Sequence, residues 1–268
     1  MNTGLDIRPA AVAGMFYPDS APELAHEVQA LLAVAATDGG PAPKALIVPH
    51  AGYVYSGPVA ASAYAALAPA RSLIRRVVLL GPCHRVAIRG LAVPLAKAFS
   101  TPLGTVPVDA ALVQAVLNLP QVSQSDAPHR MEHALEVQLP FLQTVLEDFA
   151  LLPLAVGDAT MQEVAEVLDR VWGGAETLIV VSSDLSHYHA YAEAQRLDRN
   201  TAGQILSLAP LSSHEQACGS TPVNGLIGCA KRRALVPRLL DLRNSGDTAG
   251  DRSRVVGYGA FAFIKDEP

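Results

Sequence analysis

The sequence predicts an α/β fold, a single-domain α/β/α sandwich with a mixed central sheet. Short apolar runs, typical of strands buried on both faces, alternate along the chain with stretches whose apolar residues recur at helical spacing. The chain has 268 residues, 50% of them hydrophobic, which is enough for one large core. We therefore expect one domain over residues 1–268.

Charge and cysteine content limit the class of protein. The net charge is −5 and the pI is about 5.9 without a block of basic residues, which argues against nucleic acid or an anionic membrane as a partner. No stretch approaches the roughly 20 apolar residues needed to span a bilayer. The N-terminus lacks the pattern of a signal peptide, and Cys83, Cys218 and Cys229 are too widely separated for a disulfide framework. Both features predict a cytoplasmic protein.

The first half of the chain carries alternating strand and helix signals. Asp19 or Ser20 can cap a first helix, and Asp109 can cap a later one. Residues 132–146 are predicted to form a helix kinked at Pro140, because proline cannot donate a helical hydrogen bond. Residues 123–129 are polar and predicted to be exposed. Apolar runs predict strands at residues 46–48, 76–80 and 91–95, and an alanine-rich stretch predicts a helix at residues 59–67.

The second half repeats the alternation and closes on a strand. Its small residues Gly257, Gly259 and Ala260 allow close packing in that last strand. A polar, glycine-containing loop is predicted at residues 244–253. The other strands are predicted at residues 151–156 and 178–181, and the helices at residues 161–171, 192–207 and 224–235.

Histidines follow three of the predicted buried strands. Pro49 stops the strand at residues 46–48, and His50 comes next. His84 follows the second strand, and His187 follows the strand at residues 178–181. In open α/β sheets, ligands bind beyond the carboxyl ends of the strands. One such histidine would be only a polar strand end, but three at equivalent ends predict a shared pocket.

These residues can carry metal or acid–base chemistry. Imidazole binds iron, copper and zinc, and Cys218 lies before a glycine in a loop, where a thiolate ligand would lie. Asp184 is either a ligand or a carboxylate that fixes the tautomer of a histidine. Tyr53 and Tyr55 can orient a substrate or donate a proton, although packing at a turn is an equal alternative for Tyr53. Glu132, His133 and Glu136 lie at the start of a predicted helix, for which a solvated helix start is the alternative.

Six sequence strings are distributed over nearly the whole chain: AGMFYP (13–18), PHAGYVYSG (49–57), LLGPCH (79–84), EHALEVQLPFL (132–142), SSDLSHY (182–188) and CGSTPVNGL (218–226). In content and in order they resemble the motifs of the Memo family, especially its bacterial and archaeal branch. The resemblance implies the fold of class III extradiol dioxygenases, which use non-haem iron. It also implies a site that binds iron (Fe²⁺) or copper through His50, His84 and Cys218.

The same resemblance suggests further site residues. Asp184 and His187 match pocket residues of the family, and His187 resembles the acid–base histidine of the dioxygenases. We also predict Tyr55 as a catalytic residue. Cys83 stands where the family often has serine, and Cys218 stands where the dioxygenases use a carboxylate, so ring cleavage is not simply inherited. The predicted substrate-binding residues are Phe16, Tyr53 and His133.

Two functions follow as hypotheses. The first is a redox enzyme of unknown substrate, dependent on non-haem iron or copper, with an extradiol-dioxygenase-like pocket. The alternative is a non-catalytic module that binds a peptide or small ligand in the same pocket. An open metal site favours the first and an occluded site the second. The family resemblance also suggests radical-SAM and AMMECR-type proteins as partners.

Overall fold

The computed structural model describes residues 6–35 and 39–265 and consists of strands and helices in alternation. The strands are β1 (Ile7–Arg8), β2 (Ala45–Val48), β3 (Arg76–Pro82), β4 (Leu91–Val93), β5 (Ala98–Thr101), β6 (Gly104–Pro107), β7 (Val122–Gln124), β8 (Ala150–Val156), β9 (Thr177–Ser182), β10 (His187–His189), β11 (Leu235–Asn244) and β12 (Val255–Lys265). The helices are α1 (Ala21–Val34), α2 (Tyr53–Ala65), α3 (Ala110–Leu117), α4 (Ala127–Arg130), α5 (Leu139–Val145), α6 (Met161–Val171), α7 (Tyr191–Leu206) and α8 (Ser220–Arg232).

A mixed sheet forms the centre of the fold. Within the described residues it has nine strands in the order β10-β12-β2-β9-β3-β8-β4-β7, and β11 pairs with β12. The central strands β2, β9, β3 and β8 are parallel, whereas β12 and β4 run antiparallel to their neighbours β2 and β8. A separate small sheet pairs β1 with β5 and β5 with β6.

Helices cover both faces of the large sheet. Successive side chains of a strand point to opposite faces, and in β2 Leu46 and Val48 join one core while Ala45 and Ile47 join the other. Helices α1, α2 and α5 pack on the first core, and α3, α6, α7 and α8 pack on the second. The predicted α/β/α sandwich is confirmed. None of the helices in the described ranges is long and apolar enough to cross a membrane.

The topology brings three strand ends together. The parallel strands β2, β9 and β3 are adjacent and end at Val48, Ser182 and Pro82. Backbone groups that follow them therefore lie along one edge of the sheet. His50 lies two residues beyond the end of β2, and His84 lies two residues beyond the end of β3.

The predicted helix over residues 132–146 is confirmed only from Leu139 to Val145 and is wrong for residues 132–138. Residues 132–135 form turns, a 3₁₀ turn covers Glu136–Gln138, and α5 begins only at Leu139. Pro140 therefore lies in the first helical turn, where its missing N–H costs no hydrogen bond. As a consequence, Glu132 and His133 lie in an irregular segment, which can reach the edge of the sheet where the strands end.

Three further expectations needed correction. Helix α2 begins at Tyr53 rather than at residue 59 and runs through Pro58, so both tyrosines are helical. His129 is buried rather than exposed, and its Nε2 lies 3.0 Å from the carbonyl oxygen of Ala92. Strand β11 was missed, since only Leu235 and Asn244 at its two ends are buried and the pattern of alternation is weak.

Candidate metal site

His50 is buried beyond β2 in a single tautomer. Ser182 Oγ donates its one proton to the carbonyl of Ala134 at 2.6 Å and accepts from Gln138 Nε2 at 2.9 Å. The His50 Nδ1 atom, 2.9 Å from the same oxygen, must therefore carry the proton and donate it. Burial and the neighbouring His84 lower the pKa of His50 to about 3, so the ring is neutral and Nε2 is an unprotonated donor.

His84 is oriented by the carboxylate of Glu132. The Glu132 oxygens accept from the His84 backbone N–H at 2.7 Å and from its ring Nδ1 at 2.9 Å. Burial raises the pKa of Glu132, but the hydrogen bonds from His84 and Ala134 lower it by more than burial raises it. The net result is a pKa of about 2. The carboxylate can only accept, so His84 Nδ1 carries a proton and donates it, and Nε2 is the ring atom left to bind a metal. Carboxylate–histidine pairs of this kind orient metal ligands.

His133 completes a cluster of three imidazoles. One ligand atom from each of His50, His84 and His133 can be chosen so that all lie within 4.8 Å of one another. The His84 and His133 rings are stacked, with centroids 4.6 Å apart, and the Phe16 ring packs against His133 at a tilt, with centroids 4.8 Å apart. Burial and the nearby His50 lower the pKa of His133 to about 4. The lowered pKa values keep the rings of His50 and His133 neutral, and the hydrogen bond to Glu132 fixes the orientation of His84. Metal binding requires both properties, since only an unprotonated ring nitrogen binds a metal.

The His133 Nδ1 atom provides a further test of fit. It is buried and makes no aligned hydrogen bond, although it lies 3.3 Å from Glu132 Oε1. An unsatisfied buried nitrogen in a native structure needs a partner such as water or an ion. The residues present therefore fit a metal ion.

Cys218 lies beside this cluster without belonging to it. Its Sγ is 3.3 Å from His50 Nε2, but it is not part of the set whose ligand atoms all lie within 4.8 Å of one another. Burial and the nearby Asp184 raise the pKa of Cys218 to about 12, so without a metal the sulfur is a thiol that donates to Nε2. The ligand set of His50, His84 and Cys218 stays a prediction, and His133 becomes an additional candidate ligand.

A cavity of about 910 Å³ opens in front of the three imidazoles. Phe16, Tyr55, Asp184 and His187 all line it, as do the three histidines. Asp184 is buried, and its Oδ1 accepts the backbone N–H of His50 at 2.7 Å. Burial raises the pKa of Asp184, although the hydrogen bond from His50 and the nearby His187 oppose the rise. His187 is half-buried, and no residue in the described ranges hydrogen-bonds to its ring.

Tyr53 does not line this cavity. It is buried, its hydroxyl donates to the carbonyl of Val137 at 2.6 Å, and its ring packs against Tyr17 and Phe141. The position of Tyr53 therefore favours a role in packing and not the predicted role in substrate binding.

Sequence reasoning missed the residues that orient the imidazoles. Ser182 and Gln138 fix His50, and Glu132 fixes His84. The sequence predicts Glu132 only as a residue at the start of a helix. The strings EHALEVQLP and SSDLSHY contained the signal, since polar residues in otherwise buried stretches need partners.

Comparison with known proteins gives the family. A family model described as "Memo-like protein" matches residues 8–262. MEMO1 family proteins of Aquifex aeolicus and Nitrosopumilus maritimus are 36% and 32% identical to this chain over 96% of its length, and the matches cover 99% and 100% of those proteins.

Among solved structures, an uncharacterized protein from Escherichia coli K12 matches with a TM-score of 0.50 and 14% identity. The match covers 80% of this chain and 98% of that chain, and at this identity it shows the fold alone. Since the family model spans residues 8–262, with the three histidines and Cys218 among them, the chain belongs to the Memo-like protein family.

Proposed function

We propose that this protein binds iron or copper at His50, His84 and His133 and is a redox enzyme acting on a small organic substrate. The observation that carries the proposal is the convergence of the three imidazoles to within 4.8 Å, with His50 and His84 held in the metal-binding tautomer by Ser182 and Glu132. Networks that fix a ring nitrogen in this way are typical of metal sites.

The donor set supports a transition metal. Imidazole suits iron, copper, nickel and zinc, and a thiol beside His50 adds a softer donor that suits copper(I), zinc and iron. When bound, iron or copper supplies one-electron chemistry and the activation of dioxygen. We favour these two metals because the family resembles the iron-dependent dioxygenases.

The remaining cavity residues have roles that their own chemistry allows. His187 is free to take a proton from a bound substrate, because its ring faces the cavity without a described hydrogen-bond partner. Asp184 holds the backbone of His50 and can share a proton at its second carboxyl oxygen. Phe16 packs against the His133 ring, and Tyr55 can contact the substrate from α2.

Accessibility favours an enzyme over a non-catalytic binding module. The His84 side chain is 29% exposed, and the cavity in front of the cluster is open. A substrate can therefore reach the metal position directly, which an occluded structural metal site would prevent.

Metal analysis of protein purified without added metal and without air tests the proposal. We expect about one equivalent of iron or copper per chain, lost in His84→Ala and kept in His26→Ala, whose exposed histidine lies on α1. Equal metal content in both variants would refute the site. Zinc as the sole bound metal would refute the redox assignment.

A further inference from the structure

Two arginines line the cavity that contains the three imidazoles. They are Arg85, one residue after His84, and Arg254, one residue before β12. Within residues 6–35 and 39–265, neither guanidinium forms an ion pair or a hydrogen bond with a side chain or carbonyl. Arginines without a counter-charge at the wall of a concave site attract anions. Asp251 also lines the cavity, but its Oδ1 accepts the backbone N–H of Ser253.

Arg254 is held in place by an aromatic ring. Its guanidinium carbon lies 5.2 Å from the ring centroid of Tyr188, which also lines the cavity. A guanidinium that stacks on a ring uses its flat face and leaves its edge of N–H donors free. That edge matches the two oxygens of a carboxylate. The cation–π contact with Tyr188 therefore leaves the N–H donors of Arg254 available for a bidentate ligand.

The backbone of Tyr188 is strained at the position where its ring contacts Arg254. Tyr188 has a φ of 62°, which is uncommon for an aromatic residue. It lies in β10 between His187, paired with Val256, and His189, paired with Val255, where the register shifts. The bulge turns Tyr188 outward, with 64% of its surface exposed, beside Arg254. Such strain persists mainly at functional sites.

We propose that Arg254, oriented by Tyr188, binds a carboxylate of the substrate, whose other end binds the metal held by the three histidines. The inference rests on the proposed function, since it assigns the substrate class of the same site. A single guanidinium fork matches a monoanionic carboxylate. A phosphate dianion needs more donors and would meet stronger repulsion from Asp184 and Asp251 in the same cavity.

Metal-chelating probes with a variable tail test the proposal. The probes are the monohydroxamates of succinic, adipic and suberic acid, which chelate metal at one end and carry a carboxylate at the other. Each is compared with its primary carboxamide, which has nearly the same shape but no charge. Binding to Co(II)-loaded protein is measured by calorimetry, and metal content is measured separately for every variant.

We expect the wild type to bind at least one acid about tenfold more tightly than the matching amide. Arg254→Ala should abolish this preference while keeping its metal content. Arg252→Ala is the matched control and should retain the preference, because Arg252 stacks on Tyr191 at 4.5 Å but does not line the cavity. Tyr188→Ala should weaken the preference by releasing Arg254.

Three results would overturn the inference while the proposed function stands: equal binding of acid and amide at every length, a preference that survives in Arg254→Ala, or a phosphonate that binds more tightly than the carboxylate. Each of these would be seen with metal bound. Failure of the wild type to bind metal would instead overturn the proposed function, and the inference with it.

Discussion

Glu132 and Glu136 lie four residues apart and are both buried, but the partners of their carboxylates differ in kind. Glu132 accepts from His84 and from the backbone of Ala134, at the edge of the cavity. Glu136 pairs with Arg8. It also accepts from the backbone of Ala11 and Val12 and from the Tyr17 hydroxyl at 2.6–2.9 Å.

The difference in partners indicates two roles: Glu132 orients a residue of the candidate metal site, which makes it the site carboxylate, and Glu136 stabilises the fold. The partners of Glu136 are a permanent cation and groups of residues 8–17, so it fastens the N-terminal segment and thereby places Phe16 against His133. The principal side-chain partner of Glu132 is an imidazole whose other nitrogen faces the cluster. The same residue type therefore stabilises the fold in one case and prepares a ligand in the other.

The largest effect is expected from Glu136→Gln. The Arg8 side chain is buried, and the substitution leaves its charge without a counter-ion, which typically costs about 3–5 kcal/mol. Urea denaturation should show this loss in the free energy of unfolding, with metal content per folded molecule unchanged. Glu147→Gln, which removes an exposed pair with Arg71, should change stability little. A similar small change in both variants would show that Glu136 is not a structural carboxylate.

Acid pH should weaken the same network through His129. Its carbonyl accepts from Arg8 Nε at 2.9 Å, and burial lowers the pKa of its ring to about 4 from an ordinary 6.5. As the pH falls from about 6.5 to 4, the unfolded chain takes up a proton that the folded protein does not, so stability is lost in that window, by roughly 3 kcal/mol.

Denaturation of metal-free protein between pH 4 and 7 measures this loss. His129→Gln retains a donor toward Ala92 but does not titrate, so its stability should depend less on pH. Identical pH slopes in the variant and the wild type would exclude His129 as the cause.

The next effect concerns the site carboxylate. Glu132→Gln should weaken metal binding about 10–100-fold, because the amide no longer fixes the charge-assisted bond to His84 Nδ1. Glu136→Gln, assayed under conditions where it is folded, is the control and should keep wild-type affinity. Competition with a chelating dye measures both. Equal losses in the two variants would remove the distinction between the carboxylates.

The two glutamates also show which part of the site the sequence could not predict. Three strand-end histidines could be predicted because the apolar runs before them were long and the stop at Pro49 was clear. The helical spacing of the apolar residues predicts a helix over residues 132–138, but this segment forms turns. Pro140 favours the first turn of a helix, and α5 accordingly begins at Leu139. A straight helix gives Glu132 and Glu136 one shared face, whereas the turns separate them.

Long-range hydrogen bonds explain the other omissions. Ser182 bonds to His50 across 132 residues of chain, and Gln138 bonds to the carbonyl of Pro49 across 89 residues. No local pattern encodes such contacts. His133 joined the metal candidates only because the irregular segment carries it to the cluster.

The smallest expected effect concerns whether sulfur belongs to the site. Cys218 Sγ lies 3.3 Å from His50 Nε2, close enough to complete a metal site after a small movement. Cys218→Ser should then lower the affinity for copper(I) about tenfold, because a hydroxyl is a harder and poorer donor than a thiolate.

Cys218→Asp sharpens this test, since a carboxylate is a harder ligand than a thiolate. The substitution should shift the preference away from copper(I) and toward iron(II). Anaerobic titration of both metals against wild type and the two variants measures the shift, and Cys83→Ser controls for loss of a neighbouring thiol whose pKa is likewise raised by burial. If all four proteins bind both metals alike, Cys218 is not a ligand. The site is then built from His133 together with His50 and His84, which Ser182 and Glu132 orient, and the thiol serves only as a donor to His50 when metal is absent.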